Sequence, residues 1–460
     1  MPHALASLAF DPADPKAAFA QLPQAQAVFA LYGADPRAEP YIGRTYNLRT
    51  RLDRLLQPSP RHPRRLHLAG MVREIRWQLT GSEFESLLVQ FNLLQSQYGT
   101  KCIERMHLRA PAFVRFLGSN PYPRVTVTHR PSLREADWAY GPFASRAAAE
   151  RFSEEVLKLF LLRRCTDDLA PDPSHPGCVY SEMKMCLAPC YKGCTDERYA
   201  EEAAAVQEFL STRGESRLVP LRDQRDQASA DLAFESAAAL HAQVERVESV
   251  RALAPELVRP LSQLRAVILQ ASANSDEVAV FLFENGRLRG PSAFSTLGMR
   301  IQNEQSGSTS LFAQPVAVEP IPEKLHTGDR AQDDEKATAD PSTAPLAKSA
   351  NGFAQDDNRD AALQESTAAK GTLAVPRLPR GLLESRLEAV LAELAASATP
   401  PSATVRQGHL ALLKRWYYRP EAKRTGEICF PNSEGHWPIK SILRSIGRVA
   451  AKSIKADQRS

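Results

Sequence analysis

Apolar and polar positions along this chain change period several times, and each change predicts an element. The run Ala27-Val28-Phe29-Ala30-Leu31-Tyr32, closed by Gly33-Ala34-Asp35-Pro36, reads as a strand and a turn, and Tyr41-Ile42-Gly43 opens a second strand. Asn47 predicts the N-cap of a helix from Leu48 to Leu56, with Leu48, Leu52, Leu55 and Leu56 on one face. Residues 74–79 read as a third strand. Ser82 then starts a helix in which Phe84, Leu87, Leu88, Phe91 and Leu94 recur at helical spacing. Extended pieces at 124–127 and 140–143 precede a helix from Ala147 to Leu162. Residues 197–253 read as helical throughout, with Leu232, Ala238, Leu240, Val244 and Val247 as the apolar positions. Strand signals return at 266–269 and 278–283, and Asn285-Gly286 between apolar runs predicts a hairpin.

The resulting fold class is α/β, in six segments. Residues 25–110 form a small α/β unit, 111–196 a cysteine-rich and mostly helical region, and 197–255 a helical hairpin. Residues 261–300 form a small β segment. Residues 301–372 have little to bury and are predicted to be disordered, and 373–460 form a basic α/β tail. No apolar stretch approaches the roughly 20 residues needed to span a bilayer. The first 16 residues carry Asp11 and Asp14 without a basic n-region, which predicts no secretory signal and a cytoplasmic protein. Seven cysteines in 460 residues do not make a disulfide scaffold.

The net charge of +5 is distributed unevenly. Residues 41–76 hold nine Arg against one Asp and one Glu, and residues 405–460 hold twelve Lys and Arg against four acids. Residues 301–370 hold twelve acids against six bases. Two basic segments predict contact with a polyanion, against the plainer reading of a solvated face.

Cys165, Cys178, Cys186 and Cys190 follow the spacing C-x12-C-x7-C-x3-C, and Cys194 lies four residues further on. Thiolates gathered this closely hold a soft metal centre, because each free thiolate repels the next. Four ligands suit tetrahedral Zn or an iron–sulfur cluster equally, and unligated thiols or a disulfide are the plain alternative. Cys102 and Cys429 are isolated and read as packing residues.

Three motifs in order resemble one family. The strand-turn-strand ending in Tyr41-Ile42-Gly43-Arg44-Thr45-Tyr46-Asn47-Leu48-Arg49-Thr50-Arg51 is similar to the GIY-YIG nuclease domain in the N-terminal half of UvrC, the incision subunit of the bacterial excinuclease. Tyr140-Gly141-Pro142-Phe143 looks like the segment that precedes that family's cysteine region, and Cys186-Leu187-Ala188-Pro189-Cys190 resembles its Cys-Leu-Gly-Pro-Cys signature. Leu232-Ala233-Phe234-Glu235-Ser236-Ala237-Ala238 is similar to the UVR motif, a hairpin that pairs with its counterpart in UvrB. The resemblance implies an iron–sulfur cluster on Cys165, Cys178, Cys186 and Cys190, and a UvrB-like partner on Leu232, Phe234, Glu235 and Ala238. The Arg-rich charge of this region separately predicts salt-dependent DNA contact through Arg49, Arg54, Arg61, Arg64 and Arg65. The resemblance spans residues 25–253, weakly extending to 300.

The departures fall on the nuclease site. Tyr41, Gly43 and Arg51 are kept, and Arg44 stands for a Lys. Phe29 replaces the Tyr that activates water, Leu55 a second Tyr, and Cys102 an Asn. Gln90 occupies the place of the Glu that binds the divalent cation, and a neutral amide is a poor ligand for Mg²⁺. Glu85 is rotated by about 140° from Gln90 on a helix, and Glu83 lies about 10 Å away along its axis. If active, the domain is a metal-dependent GIY-YIG endonuclease using Mg²⁺ or Mn²⁺, with Tyr41 or a bound water deprotonated near the metal and Arg44 and Arg51 holding the scissile phosphate. The competing expectation is a non-catalytic accessory protein that binds DNA or a UvrB-like partner. After Gly290 nothing matches the family's second nuclease. The tail segment Lys414-Arg415-Trp416-Tyr417-Tyr418-Arg419 suits phosphate contact and base stacking, unless Trp416 and Trp437 form a small core.

Overall fold

The computed structural model describes residues 5–35, 37–57, 68, 70–299, 378–396 and 400–457. The predicted disordered segment and Arg61, Arg64 and Arg65 lie outside the described residues.

The first sheet holds β1 (Ala6–Ala9), β2 (Ala27–Gly33), β3 (Tyr41–Thr45) and β4 (Val72–Leu79) in the antiparallel order β1-β4-β2-β3, with α1 (Pro15–Gln21), α2 (Leu48–Leu56) and α3 (Glu83–Tyr98) around it. This sheet begins before residue 25, because β1 pairs with β4. Strand alternation gives it two buried faces. Ala27, Phe29 and Leu31 pack with Phe19 of α1 and the four leucines of α2. Ile42 of β3 turns the other way, into the core shared with α3. Asn47 caps α2 by accepting from the Thr50 amide at 3.0 Å, as its sequence position requires. Ser82 caps α3 in the same way, accepting from the Glu85 amide at 3.1 Å.

After the short α4 (Cys102–Arg105), a second antiparallel sheet runs β6-β5-β7-β8, from β5 (Ala112–Phe116), β6 (Val125–Thr128), β7 (Ala139–Phe143) and β8 (Arg259–Pro260). Val114, Tyr140 and Phe143 of this sheet pack against α5 (Arg146–Leu157), which supplies Phe152 and Val156. The cysteine region follows, with α6 (Val179–Glu182) inside it. The predicted continuous helix of 197–253 is three: α7 (Asp196–Ser211), α8 (Glu215–Ala230) and α9 (Phe234–Ala252). Gly214, at φ +86, breaks the first junction, since that backbone conformation is costly for a residue with a Cβ. Tyr199, Val206 and Phe209 of α7 and Val244, Val247 and Val250 of α9 close the second core.

The third sheet runs β11-β10-β9-β12 and joins two segments that the sequence reading kept apart. β9 (Ala266–Ala271), β10 (Glu277–Glu284) and β11 (Arg287–Ser295) form a meander, and Asn285 and Gly286 both take positive φ at the β10–β11 turn. Beyond residue 377 come α10 (Arg380–Ala395), α11 (Ala403–Tyr417), β12 (Glu427–Cys429) and α12 (Ile439–Asp457). β12 pairs antiparallel with β9, placing Ile428 opposite Ile268. Both faces of the sheet are buried. Val267, Leu269, Val278 and Val280 meet Leu387, Leu391, Ile442 and Ile446 of α10 and α12. On the other face Ile268, Phe281 and Phe283 meet α3 and α11 in a central core. Trp416 sits in that core and Trp437 borders the other, so the two tryptophans do not form a core together.

Candidate functional site

The cysteine region winds between α5 and α7 with little regular structure, and its turns need unusual backbone. Lys184, Ala188 and Lys192 all have positive φ. Ala188 stands where the resembling signature has Gly, and its φ of 53° is one that a Cβ disfavours by roughly 1–2 kcal/mol. The result of this winding is that Cys165, Cys178, Cys186 and Cys190 line a single cleft with Arg163, Arg164 and Tyr180. Cys194 does not line it and packs instead against the second core.

Among the described residues no three His, Cys, Asp or Glu side chains come close enough to hold one metal ion. Four thiols are a donor set that either a single Zn or an iron–sulfur cluster takes. Burial, followed by the three neighbouring cysteines, pushes the Cys186 thiol up to about 11, so loading has to displace a proton. Arg163 is among the most deeply buried side chains, and it donates to the carbonyls of Tyr122 and Asp167 and to Cys165 Sγ at 3.5 Å. Its second terminal nitrogen has no partner, and among the described residues it pairs with no carboxylate. A buried cation without a counter-charge fits a site that carries negative charge when loaded. The Ala188 amide donates to Cys186 Sγ at 3.3 Å, an interaction that stabilises thiolate.

The predicted nuclease residues are divided by the alternation of β3. Tyr41 and Gly43 lie on the α2 side with Phe29, whose fully buried ring stands 6.1 Å from that of Tyr41. A Cβ at position 43 would come within 2.8 Å of that ring, so the glycine is fixed by the Phe29 ring. Arg44 turns to the α3 side and donates to Glu83 at 3.1 Å. Gln90 lies two turns along the same stripe of α3 as Glu83, half-buried. Tyr41, Arg51 and Gln90 make no side-chain hydrogen bond among the described residues, and Arg51 and Arg54 are exposed. Arg49 is engaged elsewhere, donating to the Leu22 and Ala20 carbonyls at the end of α1. Leu55 and Cys102 are core residues.

The two carboxylates nearest Gln90 in sequence are both committed. Glu83 accepts from Arg419 at 2.7 Å on each oxygen, besides Arg44, and these guanidiniums hold its carboxyl down at about 2. Glu85 is buried and accepts from the Gly81 amide at 2.9 Å, and burial pushes it up to about 7. Sequence reasoning did not find Arg419 as a partner of this site. Its only signal was the basic tail segment, whose aromatic residues turn inward: Trp416 is buried and donates to the Thr425 carbonyl, and Tyr418 donates to the Pro142 carbonyl.

The hairpin α8–α9 is packed at its root and bare at its tip. Leu218, Val244, Val247 and Val250 are buried, and an Arg222–Glu248 ion pair links the helices. At the tip Leu232 is 71% exposed and Phe234 66%, with Glu235 and Ala238 also exposed.

A cleft lined by four thiols and a helical hairpin with an apolar, exposed tip, carried on an α/β body of three antiparallel sheets, define the class of protein to which this fold belongs. Within it the chain is UvrC-like: residues 113–209 match the UvrC/Cho excinuclease middle domain. It is 29% identical over 211 residues to the UvrABC system protein C of Alcanivorax borkumensis, covering 46% of this chain and 34% of the relative. It is 27% identical over 241 residues to that of Pseudomonas protegens, covering 52% and 39%. With that of Brucella abortus it shares 30% over 298 residues, covering 60% and 46%. The chain therefore spans between a third and a half of the length of these curated relatives. No solved structure matches it. No helix among the described residues is long and apolar enough to cross a membrane.

Proposed function

We propose that this is a UvrC-related, DNA-binding protein of nucleotide excision repair, acting in the cytoplasm, whose GIY-YIG-type incision domain has lost its metal site. The observation that carries the reading is the middle-domain match, because residues 113–209 contain all four cysteines of the cleft. Cys165, Cys178, Cys186 and Cys190 would hold an iron–sulfur cluster, with Arg163 as its buried counter-charge. Such a cluster supplies a compact anionic crosslink between the turns that present the thiols. The hairpin tip, with Leu232 and Phe234 bare, is suited to a UvrB-like partner. Arg51 and Arg54 are free to meet phosphates.

A specific observation favours the non-catalytic accessory role over incision. Gln90 offers no charge to a hard cation, and Glu83 and Glu85, the carboxylates that might replace it, are tied to arginines and buried respectively. The test is an incision assay on damaged duplex with a UvrB-like partner and Mg²⁺ or Mn²⁺. The unmodified chain is expected to show weak or no cleavage. The triple variant Phe29→Tyr, Leu55→Tyr, Gln90→Glu restores the missing hydroxyls and carboxylate and is expected to gain it. Robust cleavage by the unmodified chain, abolished by Arg51→Ala, would falsify the degraded-site reading. Anaerobically purified protein is expected to be brown, absorbing near roughly 400 nm, with the colour unaffected by Cys194→Ser. Stoichiometric Zn without iron would remove the cluster and leave the site.

A further inference from the structure

Glu83 binds a residue 336 positions away in the chain. Its two oxygens take both terminal nitrogens of Arg419, each at 2.7 Å, in the parallel fork that guanidinium and carboxylate favour. Oε1 also accepts from Arg44 at 3.1 Å. A third guanidinium, Arg415, stands one turn before Arg419 at the end of α11. It is exposed, makes no hydrogen bond among the described residues, and stands close enough to Arg44 and Arg419 to be repelled by both. Two cations thus share one carboxylate and a third stands beside them, which leaves a local excess of two positive charges at a part-exposed place. A fold that needed only a tie between α3 and the tail would be served by one arginine. Tyr46, 72% exposed at the end of β3, lies close enough to feel the Arg419 charge.

We infer that Arg44, Arg415 and Arg419 form one cradle for the phosphodiester backbone of DNA, assembled on Glu83 from the two ends of the chain. Glu83 fixes the guanidinium planes of Arg44 and Arg419, and each keeps N–H donors that the carboxylate does not use. Pre-orientation of this kind reduces the side-chain entropy lost when a phosphate binds. Arg415, unpaired, gains most from an anion. Tyr46 offers a ring to a base or sugar of the same strand. The inference rests on the DNA-binding reading above, and it assigns the tail a part in that function which its buried aromatic residues do not play.

The experiment measures affinity of the full chain for a fluorescent duplex over a salt series, with melting temperature recorded for every variant. Each phosphate contact adds about 0.9 to the slope of log K against log salt. Arg415→Ala is expected to lower the slope by about 1, and Arg415→Ala with Arg419→Gln by about 2. Arg415→Ala breaks no ion pair, so it remains informative if the double variant fails to fold. An unchanged slope in these variants beside a steep wild-type slope would place the DNA elsewhere and overturn the cradle. A wild-type slope near zero would instead remove the DNA-binding reading itself. Equal competition by polyglutamate, weight for weight with the duplex, would make the cradle a site for acidic protein and also overturn it.

Discussion

Glu85 and Glu83 are two residues apart on one helix, and their surroundings drive them in opposite directions. Glu83 has two arginines and stays charged, while Glu85 has only the Gly81 amide and pays the desolvation of a buried carboxylate. Because the folded-state value of Glu85, about 7, lies above its ordinary 4.5, the folded chain binds the extra proton. Its contribution to stability is therefore present below about pH 4.5 and is lost as pH rises through 7. Glu85→Gln keeps an acceptor for the Gly81 amide and removes the charge. It is expected to flatten that part of the pH profile and to stabilise the protein at pH 8 by up to about 3 kcal/mol, read from denaturant midpoints. His409 acts with the other sign: burial pushes it down to about 3, and its stability contribution is lost as pH falls below its ordinary 6.5. At this scale the sequence displayed the cysteine quartet, because four thiols in so short a span have few plain explanations. It did not display the fate of Glu83, since an ion pair spanning 336 positions leaves no mark in local pattern.

Among elements, those with a strong period were legible and the short ones were not. β2 carries seven residues of almost unbroken apolar run and α3 sixteen of helical spacing. β1 has four residues, mostly exposed, and β12 has three, so neither has room for a pattern. The hairpin is the element in which the pattern breaks, for its tip exposes what a closed helix pair would bury. Leu232 also holds a left-handed backbone, at φ 59°, that asparagine tolerates better than leucine. Leu232→Asn with Phe234→Ser is expected to change stability by less than about 0.5 kcal/mol, since both side chains are solvated. The same change is expected to weaken capture of a UvrB-like protein by about 2 kcal/mol or more, as central apolar anchors do. Undiminished capture, measured by titration calorimetry, would move the docking site off the tip.

Across the whole molecule, the central core is the reason that predicted segments do not behave as beads on a string. α3 from the first sheet, Phe113 from the second, Phe281 from the third and Leu413 from the tail all contribute to it. Pattern alone separated residues 261–300 from 373–460, because nothing in a local window shows that β12 completes the sheet begun by β9. Gln270 strengthens that seam, its side chain exchanging hydrogen bonds with Thr425 at 3.1 and 3.2 Å. Residues 1–303 and 377–460 fall in one compact unit, so these two stretches are joined by packing as well as through the chain. Residues 1–303 and 377–460, produced as two polypeptides in the same cell, are therefore expected to copurify in equal amounts. Recovery of the longer piece alone in soluble form would show that the ladder and its helices do not suffice. By the same reasoning, a protease that cuts once between the two pieces should produce two bands on a denaturing gel and one unshifted peak on a sizing column.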